Sequence, residues 1–202
     1  RHSSSAASDV YKRQESNEKI GILGSNGSGK STFLKLLAGQ LMTSSGKILI
    51  SNKSPEKLAL IASYCSPHLK LFDKFTVKEH FKYHNLLKPF RNGNSISDIG
   101  ISNRELDIPL SSFSSGMKQR IKLALSIFSE SPLLLLDEPC SHLDEKGIDW
   151  YQKTLAANTS PTSYFKDRIV IIASNHLKEE LHDCNSYFPV SYTHLRAHET
   201  ES

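Results

Sequence analysis

Residues 24 to 31 read Gly-Ser-Asn-Gly-Ser-Gly-Lys-Ser and satisfy G-x-x-x-x-G-K-[ST] at every fixed position. No other feature of the chain restricts its fold as much. The pattern works only where a strand ends in a glycine-rich loop and the loop opens a helix, because the loop N–H groups must converge on phosphate oxygens at a helix N-terminus. Both flanks are present. Residues 19–23 (KIGIL) form a short apolar run that predicts a strand. Residues 30–38 (KSTFLKLLA) place Phe33, Leu34, Leu36 and Leu37 at helical spacing, with Gly39 as the stop. The loop residues Gly24, Ser25, Asn26, Gly27, Ser28 and Gly29, with Lys30, Ser31 and Thr32, are therefore the candidate phosphate site. Lys30 is expected to neutralise the outer phosphates and Ser31 to offer its hydroxyl to Mg²⁺.

Further along, residues 133–138 read Leu-Leu-Leu-Leu-Asp-Glu. A fully apolar strand would deliver Asp137 to its carboxyl end, where the carboxylate can hold Mg²⁺, and Glu138 would stand beside it to accept a proton from water. Strands are also expected at 47–50, 58–62 and 169–173, and helices at 76–87, 117–128, 145–157 and about 177–183. The helix at 76–87 opens with the capping box Thr76-x-x-Glu79. Residues 91–100 are polar and rich in Gly, Asn and Ser, the composition of a surface loop. Buried aliphatic strands alternating with helices predict an α/β fold with a mainly parallel sheet.

Composition removes several classes. The 202 residues are 38% hydrophobic and 23% charged, enough for one core and too apolar for wholesale disorder. No apolar run approaches the roughly 20 residues that span a bilayer. A net charge of +4 gives no reason to expect nucleic-acid binding. The three cysteines, Cys65, Cys140 and Cys184, show no metal spacing, and a reducing setting is the simplest expectation. His80 and His84 stand four apart without an evident third ligand, so a solvated helix face is expected there rather than a metal site.

The order of these segments resembles the nucleotide-binding subunit of ABC transporters. Residues 113–120 (FSSGMKQR) are similar to the family signature LSGGQ-x-Q-R, matching at Ser114, Gly116, Gln119 and Arg120 and departing at Phe113, Ser115 and Met117. Residues 141–144 (SHLD) follow Asp137-Glu138-Pro139 as the family's D-loop does, and His176 follows the last apolar strand in the place of its switch histidine. The resemblance implies a P-loop NTPase fold with an inserted helical subdomain at about 66–127, and ATP and Mg²⁺ as ligands. It implies an ATPase in which Glu138 and His176 act on the γ-phosphate. It also implies that Ser114 and Gly116 of one subunit close the ATP site of another, a homodimer or a paralogous pair. A transmembrane permease subunit would then hold the chain on the inner, cytoplasmic face of the membrane. Two rivals stay open: a soluble ABC-type ATPase acting on ribosomes or nucleic acid, and a nucleotide switch that does not hydrolyse.

Two departures stand out. The family places a glutamine near position 67, where this chain has Tyr64-Cys65-Ser66-Pro67-His68. The second concerns the ends. Residues 9–14 (DVYKRQ) can be encoded by a string whose reverse complement reads Val-Ser-Tyr-Thr-His, the sequence at 190–194. Residues 1–14 and 190–202 are therefore expected to be translated sequencing adapter, with 15–189 a truncated ATP-binding domain. Tyr11 lies in the first of these tails and is not assigned to adenine stacking.

Overall fold

The computed structural model describes residues 18–43, 48, 58–91, 93–159, 168–175 and 178–190. The helices are α1 (Lys30–Leu37), α2 (Leu58–Ile61), α3 (Val77–Leu87), α4 (Ser115–Phe128) and α5 (Glu145–Thr159). The strands are β1 (Lys19–Leu23), β2 (Ala62–Cys65), β3 (Leu133–Asp137), β4 (Ile169–Ser174) and β5 (Ser186–Pro189). All strand pairs are parallel, in the order β2-β3-β4-β1-β5.

Strand alternation explains the two-sided core. Leu133 and Leu135 of β3 face one way, with Ile20, Ile22 and Ile171, against Leu34 and Ala38 at α1. Leu134 and Leu136 face the other way, with Val170 and Ile172, against Ile121, Leu125 and Phe128 of α4 and Tyr151 and Leu155 of α5. Every residue of β3 is buried, as a strand covered on both faces must be. Side chains such as Ile121, Leu134 and Ile172 have no exposed surface, and each stabilises the fold by about 2 kcal/mol through burial.

Several expectations shift. The apolar stretch 58–62 forms the short helix α2, and the strand begins only at Ala62. Runs this short do not distinguish strand from helix by period. Residues Lys178–Asp183 form turns rather than a helix, and β5 adds a strand beyond β1. Val190, assigned from sequence to the tail, continues that ladder by donating its N–H to Leu23 O at 2.8 Å. The strand expected at 47–50 lies outside the described residues apart from Ile48, and so does the rest of the carboxy-terminal tail.

His80 is buried and His84 half-buried, so the two do not form the solvated face expected of them. His80 Nε2 lies 3.1 Å from Phe72 O. His84 shares a 2.7 Å hydrogen bond with Ser129 Oγ and stacks on Phe90 at 5.4 Å. Burial, with Lys88 and His80 adding positive charge nearby, lowers the His84 pKa to about 4. No group of three or more His, Cys, Asp or Glu side chains able to hold a metal occurs among the described residues.

Candidate functional site

The sheet order decides which side chains meet. β4 lies between β3 and β1, so the residue leaving β4 falls between the ends of its neighbours. Gly24 follows β1, Asp137 and Glu138 end β3, and Asn175 follows β4. All reach the carboxyl edge of one parallel sheet, where ligands of open α/β folds bind.

The loop after β1 turns through Ser28 N–H to Ser25 O at 3.1 Å and enters α1 at Gly29. Gly29 has φ 97°, a left-handed conformation that a β-carbon would strain. The chain then delivers Lys30, only 5% exposed, into the site. Its Nζ donates to Gly24 O at 2.7 Å, to Ser25 O at 3.1 Å and to Asn175 Oδ1 at 2.5 Å.

Ser31 is one residue further along α1 and reaches the Asp137 carboxylate through its hydroxyl. Asp137 is 2% exposed, and its Oδ2 accepts from Tyr64 at 3.3 Å. Burial raises its pKa, while the Ser31 and Tyr64 hydroxyls oppose that rise. Burial pushes the Tyr64 phenol up to about 12, which keeps it a donor at neutral pH. Asp137 Oδ1 and Ser28 Oγ are buried without a hydrogen-bond partner among the described residues. The open Asp137 oxygen and the nearby Ser31 hydroxyl are hard oxygen donors of the kind that bind Mg²⁺, which takes its remaining ligands from water and phosphate.

Glu138 has φ 45° and is held by its own N–H to Ala173 O at 2.9 Å. Such a conformation costs about 1 kcal/mol or more in a residue with a β-carbon. Its Oε1 accepts from Asn175 Nδ2 at 2.6 Å, and its Oε2 faces Ser141 Oγ at 3.5 Å. Behind it lies Glu180, fully buried, which accepts from Cys140 N–H at 3.0 Å and from the Ser174 hydroxyl. Burial raises the Glu180 pKa to about 6.

Ser114 caps α4, accepting from Met117 N–H at 3.2 Å. This is a local role for the hydroxyl at the start of the signature helix. Gly116 is fixed by a close approach: a β-carbon there would lie 2.6 Å from His142 O. Asp144 caps α5 by accepting from Gly147 N–H at 2.8 Å. Where the family places its glutamine, Ser66 Oγ accepts from His68 N–H at 3.2 Å, and His68 itself is exposed. The backbone there is gripped from α4: the buried Lys122 donates to Ser66 O at 3.3 Å and Pro67 O at 2.8 Å.

Lys30, Ser31, Asp137 and Glu138 therefore gather at one place, whereas Ser114 and Gly116 open a separate helix. His176 lies outside the described residues. Sequence reasoning missed Asn175, Tyr64, Glu180 and Lys122. The alternation of Ala62–Cys65 marks Tyr64 as one face of a strand, but only the β2–β3 register sets that face toward Asp137.

The sequence profile described as "ABC transporter" matches residues 9–141, a span that starts inside the segment expected to be adapter. The ABC transporter ATP-binding protein YybJ of Bacillus subtilis is 29% identical over 190 residues, covering 89% of this chain and 83% of that protein. The mouse ABC-type organic anion transporter ABCA8A is 27% identical over 168 residues, or 80% of this chain, which spans only 10% of its length. The ATP-binding cassette MJ0796, solved as a dimer in a post-hydrolysis state with ADP and Pi, shares the fold at a TM-score of 0.73. Its identity is 18%, over 88% of this chain and 83% of that one. With the profile covering well over half of its length, the chain belongs to the ABC transporter family and is one of its ATP-binding domains.

Proposed function

We propose that this chain binds Mg·ATP on the loop 24–32 and hydrolyses it to power an ABC transporter. The convergence of Lys30, Ser31, Asp137 and Glu138 at the carboxyl edge of the sheet carries this reading. The N–H groups of Gly24, Ser25, Asn26, Gly27, Ser28 and Gly29, with those of Lys30, Ser31 and Thr32, surround the phosphates at the start of α1. Lys30 gives up its present acceptors for the outer phosphate oxygens. Ser31 and Asp137 hold Mg²⁺, which supplies positive charge to the phosphates when bound. Glu138 accepts a proton from the attacking water, its carboxylate oriented by Asn175. His176 contacts the γ-phosphate, by resemblance to the family's switch histidine.

Ser114 and Gly116 complete the site of a second subunit, either another copy or a paralogue. A transmembrane permease docks on the helical subdomain, about residues 66–127, and keeps the chain on the inner face of the membrane. The exposed Phe72, Tyr83, Leu86 and Leu87 of that segment support this docking, since such apolar side chains gain by being covered.

The test is equilibrium binding of MgATP to the chain and to Lys30→Ala, followed by ATP turnover in the presence of the permease. Binding that Lys30→Ala weakens at least a hundredfold is expected. Equal retention of MgATP by both proteins removes the proposal.

A further inference from the structure

We propose that Asn175 is a positioning residue that ties Lys30 to Glu138 before nucleotide arrives, so that nucleotide binds only by displacing its amide from the lysine. The proposal rests on the ATPase reading above and adds to it a competitor built into the site. A protonated lysine has three N–H donors and no acceptor. All three are used here, by Gly24 O, Ser25 O and Asn175 Oδ1. The first two acceptors belong to the phosphate loop itself. Asn175 is the side chain that reaches Lys30 from another strand, across 145 residues of sequence.

The chemistry fixes the amide orientation. Lys30 can only donate, so it must meet Oδ1, and the Glu138 carboxylate accepts from Nδ2 at 2.6 Å. No other short side chain offers an acceptor and a donor so placed. When Lys30 turns to a phosphate, Oδ1 is released while Nδ2 keeps its hold on Glu138. The same residue thus opposes nucleotide binding through one atom and orients the hydrolytic carboxylate through the other. Removing it has two opposite consequences: tighter binding and slower turnover.

The experiment is calorimetric titration of the full chain with MgADP, for the wild type, Asn175→Ala and Asn175→Asp, with thermal melting as a check on folding. Asn175→Ala is expected to bind about fivefold more tightly, because Lys30 loses one acceptor in the free state. Asn175→Asp is expected to bind about tenfold more weakly, because its carboxylate pairs with Lys30 more strongly than an amide does. In ATP turnover, Asn175→Ala is expected to lower kcat about tenfold while KM falls. Unchanged or weaker MgADP binding by Asn175→Ala overturns the proposal, as does a shift of both variants in the same direction. Should Asn175→Ala not fold, Asn175→Ser carries the same expectation, since its hydroxyl is too short to span both partners. A wild type that binds no MgADP defeats the ATPase reading instead, which keeps the two failures apart.

Discussion

The two ends of the sheet bury charge in opposite ways. At the amino end, Arg168 is 1% exposed and donates to Ile127 O, Ser126 O, Ser129 O and Ser131 Oγ at 2.6 to 3.3 Å. Arg91 Nη1 donates to Asn158 O, and Lys88 Nζ donates to Ala62 O and, at 3.4 Å, to Ala59 O. These cations sit on the carbonyls that end α4 and α5, on one of α2 and on the first of β2. The last carbonyls of a helix lack intrahelical donors, and helix C-termini favour positive charge. At the carboxyl end the buried charges include the acids Asp137 and Glu180 beside Lys30, and Asp137 Oδ1, Glu180 Oε2, Ser28 Oγ and Gln119 Oε1 have no partner among the described residues. Arg168 Nε is the one such atom at the opposite end. One end is nearly saturated by the chain itself, and the other holds capacity in reserve. That contrast separates a structural cluster from a candidate site more sharply than charge does, since both ends are strongly charged.

Breaking the saturated end tests the contrast most severely. Arg168→Met takes the guanidinium from four acceptors, of which Ser129 O keeps the Ser131 N–H at 2.9 Å, and is expected to lower unfolding stability by about 4 kcal/mol, read by urea denaturation. A loss under about 1 kcal/mol means the cluster is not structural. The reverse profile is expected at the other end. Glu138→Gln keeps an acceptor for Asn175 and should leave the urea midpoint in place, while ATP turnover falls about a hundredfold or more.

The pH response sharpens the comparison, because the two ends titrate with opposite sign. The folded protein holds His84 neutral down to about pH 4, while an unfolded histidine takes its proton near 6.5. The unfolded state therefore binds more protons in that window. His84 contributes full stability above pH 6.5 and loses it as pH falls toward 4, by about 2 kcal/mol after allowance for its partial exposure. Glu180 runs the other way. Its folded pKa of about 6 lies above the ordinary 4.5, so the folded state binds the extra proton. Stability is highest below about pH 4.5 and declines as pH rises to about 6, by at most about 2 kcal/mol. The wild-type curve therefore partly cancels, and the variants expose its parts. His84→Asn should abolish the acid loss, whereas Glu180→Gln should steepen it, both measured by urea titration between pH 4.5 and 7. Matching slopes in the two variants would mean that these groups do not control the window.

The smallest effect is expected where α4 holds the exit of β2. Lys122→Met frees the carbonyls of Ser66 and Pro67 and should cost about 1–2 kcal/mol. Faster amide exchange confined to residues 65–69 would locate the loss, and uniform exchange would contradict it.

Local pattern carried much of this molecule. The helices α1, α3, α4 and α5 follow from apolar spacing and from capping at Thr76 and Ser114, and β3 follows from an unbroken aliphatic run. The phosphate loop and Asp137-Glu138 are contiguous motifs, so their chemistry is written in adjacent letters. Asn175, Glu180, Lys122 and Arg168 were not legible, for a common reason. Each acts on residues tens of positions away, and the strand order that joins them is a tertiary fact. His80 and His84 were misplaced on similar grounds: a period of four marks one helix face but does not say what covers it. The residues at 58–62 show a further limit, since a short apolar stretch is compatible with either regular state until its neighbours are placed.

The contact between Gly116 and the His142 carbonyl leaves no space for even a methyl group between the start of the signature helix and the bend after β3. His142 is itself held at φ 65°, so the bend has little freedom to retreat. Helix and bend therefore cannot be pressed closer together. A push of the helix against the bend meets a turn whose Ser141 N–H is bonded to the Glu138 carbonyl at 3.1 Å.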